Sequence, residues 1–258
     1  MAIAPTRARR PGASPPPLPE PSDAELASCP FCAGHEHMTP PQTLVLPGDG
    51  GDGSWRVRVV PNLYPALERQ EVVVQVPTHR RSFAELDDDQ IELVAEAWQR
   101  RRAAHPEGYL HASLNEGRDA GASLPHTHSQ LAWLPFSPSA EPRRDGETVV
   151  ERDGLAAWSP RVARVPYELA IAPIAREPDG FRSQLLGAAL RVLAGLIRRL
   201  RELEGPATPL NAWLHNHESG WRIVLFPRLT ILAALEVGAG LYVNTLAPEE
   251  AAARLRAV

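Results

Sequence analysis

The sequence predicts an α+β fold in two similar halves, residues 1–140 and 141–258, each an antiparallel β-sheet with a packed helix. Three observations predict it. Short β-branched runs such as 54–61 (S-W-R-V-R-V-V-P) and 71–76 (E-V-V-V-Q-V) read as strands. Two longer segments, 87–102 and 181–203, carry apolar residues at helical spacing. The order of elements in the first half then recurs in the second.

Taken in order, the chain opens on an Arg-rich stretch (A-P-T-R-A-R-R-P) that runs into Pro-rich sequence, the composition of an unstructured tail. Cys29-Pro30-Phe31-Cys32 follows. A C-x-x-C pair is a zinc knuckle or a redox dithiol, and no thioredoxin-like strand–helix pattern flanks this one. A tetrahedral zinc needs two further ligands, and His35 and His37 are the nearest histidines in sequence. Between the strands 54–61 and 71–76 lies Asn62-Leu63-Tyr64-Pro65-Ala66-Leu67, by itself an ordinary turn. Residues 87–102 form a helix. Three aspartates suit its N-terminal dipole, Ile91, Val94, Ala95 and Trp98 make its apolar stripe, and arginines close it. The strand 109–115 buries Leu110, Ala112 and Leu114 and delivers Asn115 to a loop in which Gly117 and Gly121 permit close backbone approach to a ligand.

The loop leads into His126-Thr127-His128-Ser129-Gln130. If this segment is extended, His126, His128 and Gln130 share one face. A neutral imidazole is a competent nucleophile toward phosphorus, and an amide can donate to a phosphoryl oxygen as charge builds. A second imidazole is a helper base or a metal ligand. The plain alternative is a strand with two structural histidines.

Composition excludes several classes. A net charge of −4 and a pI near 6.1 give no global basic field for nucleic acid. No apolar run is long enough for a membrane span or a signal-peptide core. Two cysteines spaced by two residues do not make a disulfide framework, so a cytoplasmic enzyme is the default.

The pattern N-x-G-x-x-x-G-x-S-x-P-H-x-H-x-Q, from Asn115 to Gln130, resembles the active-site segment of the galactose-1-phosphate uridylyltransferases, in the histidine-triad superfamily. The likeness extends over nearly the whole chain. It implies two tandem histidine-triad-like units, the second degenerate and contributing to the sugar side. It also implies a zinc held by Cys29, Cys32, His79 and His126. His128 would be the nucleophile, with Gln130 stabilising phosphoryl oxygens. Phe31, Asn62 and Leu63 would contact the nucleoside, and Asn115, Gly121 and Ser123 the phosphates. Arg7 and Arg10 match the arginines that hold the sugar phosphate, a role suited to a planar guanidinium. Glu236 matches a glutamate that holds sugar hydroxyls.

The implied reaction moves a nucleoside monophosphate between a nucleoside diphosphate sugar and a sugar 1-phosphate, as in galactose metabolism, through a nucleotidyl-histidine. The partners are therefore small molecules, with no nucleic acid and no membrane, and a homodimer is compatible with them. Glutamine at 130 favours transfer, because a histidine there is typical of the hydrolase branch. Two other classes remain: phosphorolysis of ADP-glucose or a dinucleoside polyphosphate, and a non-catalytic zinc-stabilised nucleotide-binding protein. The chain departs from the family at Thr127, where proline is usual, and at Tyr242, where a hexose-binding glutamine is usual. In the second half, aligning Pro227 with Pro135 sets Gly220 against His128 and Arg222 against Gln130. Val224 and Phe226 stand where some relatives carry histidines of a second metal site, so no second metal is expected. His215 and His217 fall on the preceding strand.

Overall fold

Alternation of side chains decides which face of each strand is core. Along residues 109–116, buried Leu110, Ala112 and Leu114 alternate with half-buried His111, Ser113 and Asn115. One face therefore meets the hydrophobic core and the other is left for polar groups. In this computed structural model, which describes residues 1–5, 20–47, 54–139 and 144–258, the elements run as follows. They are β1 (Ala2–Ile3), α1 (Asp23–Ser28), β2 (Leu44–Leu46), β3 (Val57–Pro61), β4 (Gln70–Val74), α2 (Asp88–Ala104), β5 (Tyr109–Glu116) and β6 (His128–Leu134). Then come β7 (Gly146–Arg152), β8 (Leu155–Pro160), β9 (Leu169–Pro173), α3 (Leu186–Glu204), β10 (Leu210–His215), β11 (Arg222–Pro227), α4 (Ala234–Ala239), β12 (Val243–Asn244) and α5 (Pro248–Ala257). Arg7 and Arg10 lie outside the described residues.

Ten strands form one sheet in the order β2-β3-β4-β6-β5-β10-β11-β9-β8-β7, and every neighbouring pair is antiparallel. The order read outward from the centre is the same in both directions. β5 and β10 meet there, with Asn115 opposite Asn211. β1 and β12 make a separate parallel pair.

Residues of α2, α3 and α5 pack with the inward side chains of both halves in a single core cluster on one face of the sheet. Asp87 caps α2 by accepting the Gln90 N–H at 2.7 Å. Two buried contacts fix α2 under β4 and β6. Trp98 Nε1 donates to Ser129 Oγ at 2.9 Å. Arg101 donates twice to Glu71, at 2.8 and 2.7 Å. With Ser129 and Leu131 committed to the helix side, His128 and Gln130 face the other way.

Several elements differ from the sequence expectation. The long helix begins at Leu186 rather than 181, because the preceding residues form turns. There Asp179 accepts the Phe181 N–H and Ser183 Oγ accepts the Leu185 N–H, both at 3.0 Å. Strand β7 and helix α4 were not expected. Strand β6 starts at His128, so His126 precedes the strand instead of lying on it. Among the described residues, no helix is long and apolar enough to cross a membrane.

Candidate active site

The chain after α1 carries Cys29 and Cys32 against the outer ends of β4 and β6. Cys29, Cys32, His79 and His126 each bring a ligand atom to within 4.8 Å of all the others. Sulfur–nitrogen distances are 3.4 Å for Cys29–His126, 3.4 Å for Cys32–His79 and 3.7 Å for Cys32–His126. Thiolate and imidazole ligands of a tetrahedral zinc stand roughly 3.6 Å apart, so the donor set fits such an ion in type and spacing. Both rings present Nδ1 to the cluster. Their Nε2 atoms are occupied elsewhere, His126 on the Val76 carbonyl and His79 on Glu25 Oε1, each at 2.9 Å. Outer partners of this kind fix the tautomer and the ring plane of a metal ligand.

Arg81 also binds Glu25 and is the first cause of its carboxyl lying below the usual range; His79 adds to it. Burial holds His126 down to about 4 and, with Cys29 beside it, pushes the Cys32 thiol up to about 12. A cation among these atoms reverses that tendency of the thiol. Neither of the nearer histidines joins the cluster, and Nδ1 of His35 is spent on the Cys29 carbonyl at 2.7 Å.

His128 opens β6 and is buried, with its ring 5.2 Å from that of Phe31. Phe31 also stands edge-on to His126 at 6.0 Å. His128 Nδ1 lies 2.7 Å from the His126 carbonyl oxygen. A carbonyl only accepts, so Nδ1 carries the proton and Nε2 keeps its lone pair. Burial lowers the affinity of this ring for a second proton, and the His126 carbonyl offsets that in part. The result is a neutral imidazole with a directed nucleophilic nitrogen.

Two amides flank it. Leu114 pairs with Ser129, a register that carries Asn115 alongside His128, and Ser113 pairs with Gln130. Asn115 Oδ1 accepts from Asn211 Nδ2 at 2.7 Å, and the same Nδ2 donates to the Ala120 carbonyl at 2.8 Å. Arg228 donates to Asn211 Oδ1 at 3.2 Å. The second half thus holds the Asn115 carbonyl and leaves its NH₂ for a ligand. Asn211 and Arg228 were missed in the sequence, where nothing marks them; only strand pairing brings them here.

The other expected residues are less tightly gathered. Asn62 Oδ1 accepts the Tyr64 N–H at 2.9 Å, and Leu63 is exposed at the end of β3. Gly121 is left-handed at φ 85°, as the loop turn requires. Ser123 lines a cavity of about 450 Å³ with Arg81, Arg118 and Arg201. Thr127 faces Gln75, donating to its Oε1 at 2.7 Å. Glu236 lies in α4, and its carboxylate accepts the Ala233 N–H at 2.8 Å. Tyr242 borders a separate cavity of about 420 Å³ that includes Asn115, Asn211, Trp213, Phe226 and Arg164. The Arg164 guanidinium lies 5.7 Å from the centre of the Trp213 ring and 5.1 Å from that of Phe226.

Residues 65–138, which contain His79, Asn115, His126, His128 and Gln130, match the family described as galactose-1-phosphate uridyl transferase, N-terminal domain. The ADP-glucose phosphorylase of Arabidopsis thaliana is 27% identical, over 99% of this chain and 89% of that protein. The galactose-1-phosphate uridylyltransferase of Thermotoga maritima is 26% identical, over 92% and 90%. The crystal structure of an Arabidopsis thaliana ADP-glucose phosphorylase with bound ADP-glucose superposes with a TM-score of 0.84 at 22% identity, covering 99% of this chain and 94% of that one, which establishes the shared fold. The matched segment and these relatives make the chain similar to the galactose-1-phosphate uridylyltransferases over the part that carries the candidate site.

Proposed function

We propose that this protein is a nucleotidyltransferase that works through a nucleotidyl-histidine on His128. The observation that carries the reading is the bond from His128 Nδ1 to the His126 carbonyl at 2.7 Å. It leaves Nε2 unprotonated, so attack on an α-phosphorus needs no general base. As the P–Nε2 bond forms and the bond to the leaving phosphate oxygen breaks, positive charge develops on the ring. The His126 carbonyl stabilises that charge through Nδ1–H. The departing group is sugar 1-phosphate. Attack of a second phosphate oxygen on the same phosphorus then returns the electron pair to Nε2.

The NH₂ groups of Gln130 and Asn115 donate to the phosphate oxygens, with Gly121 and Ser123 shaping the loop beside them. Phe31, Asn62 and Leu63 hold the nucleoside. Arg7, Arg10 and Glu236 serve the sugar phosphate, together with the second half of the chain. Cys29, Cys32, His79 and His126 would hold a zinc ion, which would supply folding energy and position the His126 carbonyl. Four protein ligands would leave such an ion no position for a reacting water.

Gln130 favours transfer to a phosphate acceptor over hydrolysis, and with a sugar 1-phosphate as acceptor the reaction is a uridylyltransferase-like exchange. A second reading is phosphorolysis of ADP-glucose with inorganic phosphate as acceptor. It is favoured by likeness to the Arabidopsis ADP-glucose phosphorylase over 99% of this chain and by Tyr242 in place of glutamine. The test starts from enzyme labelled with the α-phosphorus of UDP-glucose or ADP-glucose. Discharge by galactose 1-phosphate as nucleotide sugar supports exchange, and discharge by phosphate as nucleoside diphosphate supports phosphorolysis. Failure of both nucleotide sugars to label the protein would overturn the covalent reading.

The pH dependence follows from the buried ring. His128 binds a proton more weakly than a free imidazole, so its neutral form persists as pH falls through about 6.5. The rate of labelling should therefore stay level across that value and decline only at lower pH. A decline centred at or above it would mean that the nucleophile is a solvated histidine.

A further inference from the structure

We infer that Gln70 is a positioning residue that fixes which end of the Gln130 amide faces the phosphate, and so couples the loop at 62–69 to the transfer step. The inference rests on the reading of Gln130 as a phosphoryl-oxygen donor. Amide oxygen and nitrogen are interchangeable in shape, so their orientation has to come from partners of known type. Here the chain of partners starts at a backbone N–H. Ala66 N donates to Gln70 Oε1 at 2.9 Å. That bond turns Gln70 Nε2 toward β6, where it donates to Gln130 Oε1 at 2.7 Å. The Gln130 carbonyl is thereby consumed. Its NH₂ has no protein partner among the described residues and is the end presented to a ligand.

The strands are arranged for this contact. β4 lies beside β6, with Val72 opposite Gln130 and Gln70 opposite Ala132. Gln70 thus reaches Gln130 diagonally on the face away from the helices, while its neighbour Glu71 pairs with Arg101 on the other face. The Gln70 main-chain carbonyl also accepts the Asn62 N–H at 2.9 Å. The loop that closes on Gln70 is therefore the one that carries Asn62 and Leu63. A shift of Ala66 on nucleoside binding releases or tightens the amide relay. A reversed Gln130 would present its carbonyl oxygen to phosphate, replacing an attraction by a repulsion.

The experiment measures single-turnover labelling of the zinc-loaded full chain, with ADP-glucose and UDP-glucose labelled at the α-phosphorus. Gln70→Glu keeps the size and the Ala66 contact but offers Gln130 an acceptor, which reverses it. The labelling rate should fall about 100-fold, the scale for losing one preorganised donor. Gln70→Leu removes the donor without adding an acceptor and should fall between Gln70→Glu and wild type. In a Gln130→Ala background, Gln70→Glu should add no more than about twofold. A rate for Gln70→Glu within about twofold of wild type would overturn the inference. So would a penalty that persists without Gln130, because simple charge repulsion or misfolding would cause it. Wild-type protein that takes up no label sinks the His128 reading itself, a result distinct from either of these.

Discussion

Replacing His128 with glycine should abolish covalent labelling by a nucleotide sugar while leaving the metal content unchanged. Removing a covalent nucleophile costs on the order of a millionfold in turnover in well-studied proteases, so any residual rate should be undetectable. The wild-type adduct is a phosphoramidate and should be stable in base and labile in acid. The metal should stay because His128 is not among the four clustered ligands; its Nδ1 is spent on the His126 carbonyl. Gln130→Ala makes the informative contrast. Its label should still form, but more slowly, since one lost donor costs about 3 kcal/mol. His126→Asn should instead lose metal and stability together. Label that survives in His128→Gly, or that disappears only with His126, would mean that the two histidines have exchanged roles. Metal content and label are read on the same samples, so a misfolded variant is recognised directly.

The double substitution Cys29→Ser with Cys32→Ser should take bound zinc from about one per chain to nearly none. Structural zinc sites contribute roughly 10–16 kcal/mol in isolated zinc-finger peptides. The loss here should be smaller, because the large core beneath the sheet does not depend on the metal. It should still lower the melting temperature markedly. Cys29, Phe31, Trp55, Val60, Val72 and Val74 form a small separate cluster, and a metal held by Cys29 and His126 would join that cluster to β6. Labelling should weaken as well, since His126 would no longer be held and its carbonyl supports His128. Metal content that survives the double substitution would show the ligand assignment to be wrong. The two experiments have opposite signatures. One removes chemistry and keeps metal; the other removes metal first and slows chemistry as a consequence.

The sequence by itself determined the units of this protein. Period-two alternation marked β5, helical spacing and a run of three aspartates marked α2, and both formed close to where expected because these signals are local. Cys29, Cys32, His79 and His126 were named together in the sequence only through the family resemblance, since spacing alone left His35 and His37 as rivals. What the tertiary structure decided is direction. His126 and His128 are two residues apart and chemically identical. One turns Nδ1 to two thiols because Val76 takes its Nε2, and the other turns Nδ1 to a carbonyl and frees Nε2. The same holds for the amides. Gln130 and Asn115 could be named from the motif, but Gln70 and Asn211, which orient them, lie 60 and 96 residues away. Hydrogen-bond direction depends on which strands become neighbours and in what register. That pairing is a property of the whole ten-stranded sheet, and no stretch of sequence contains it.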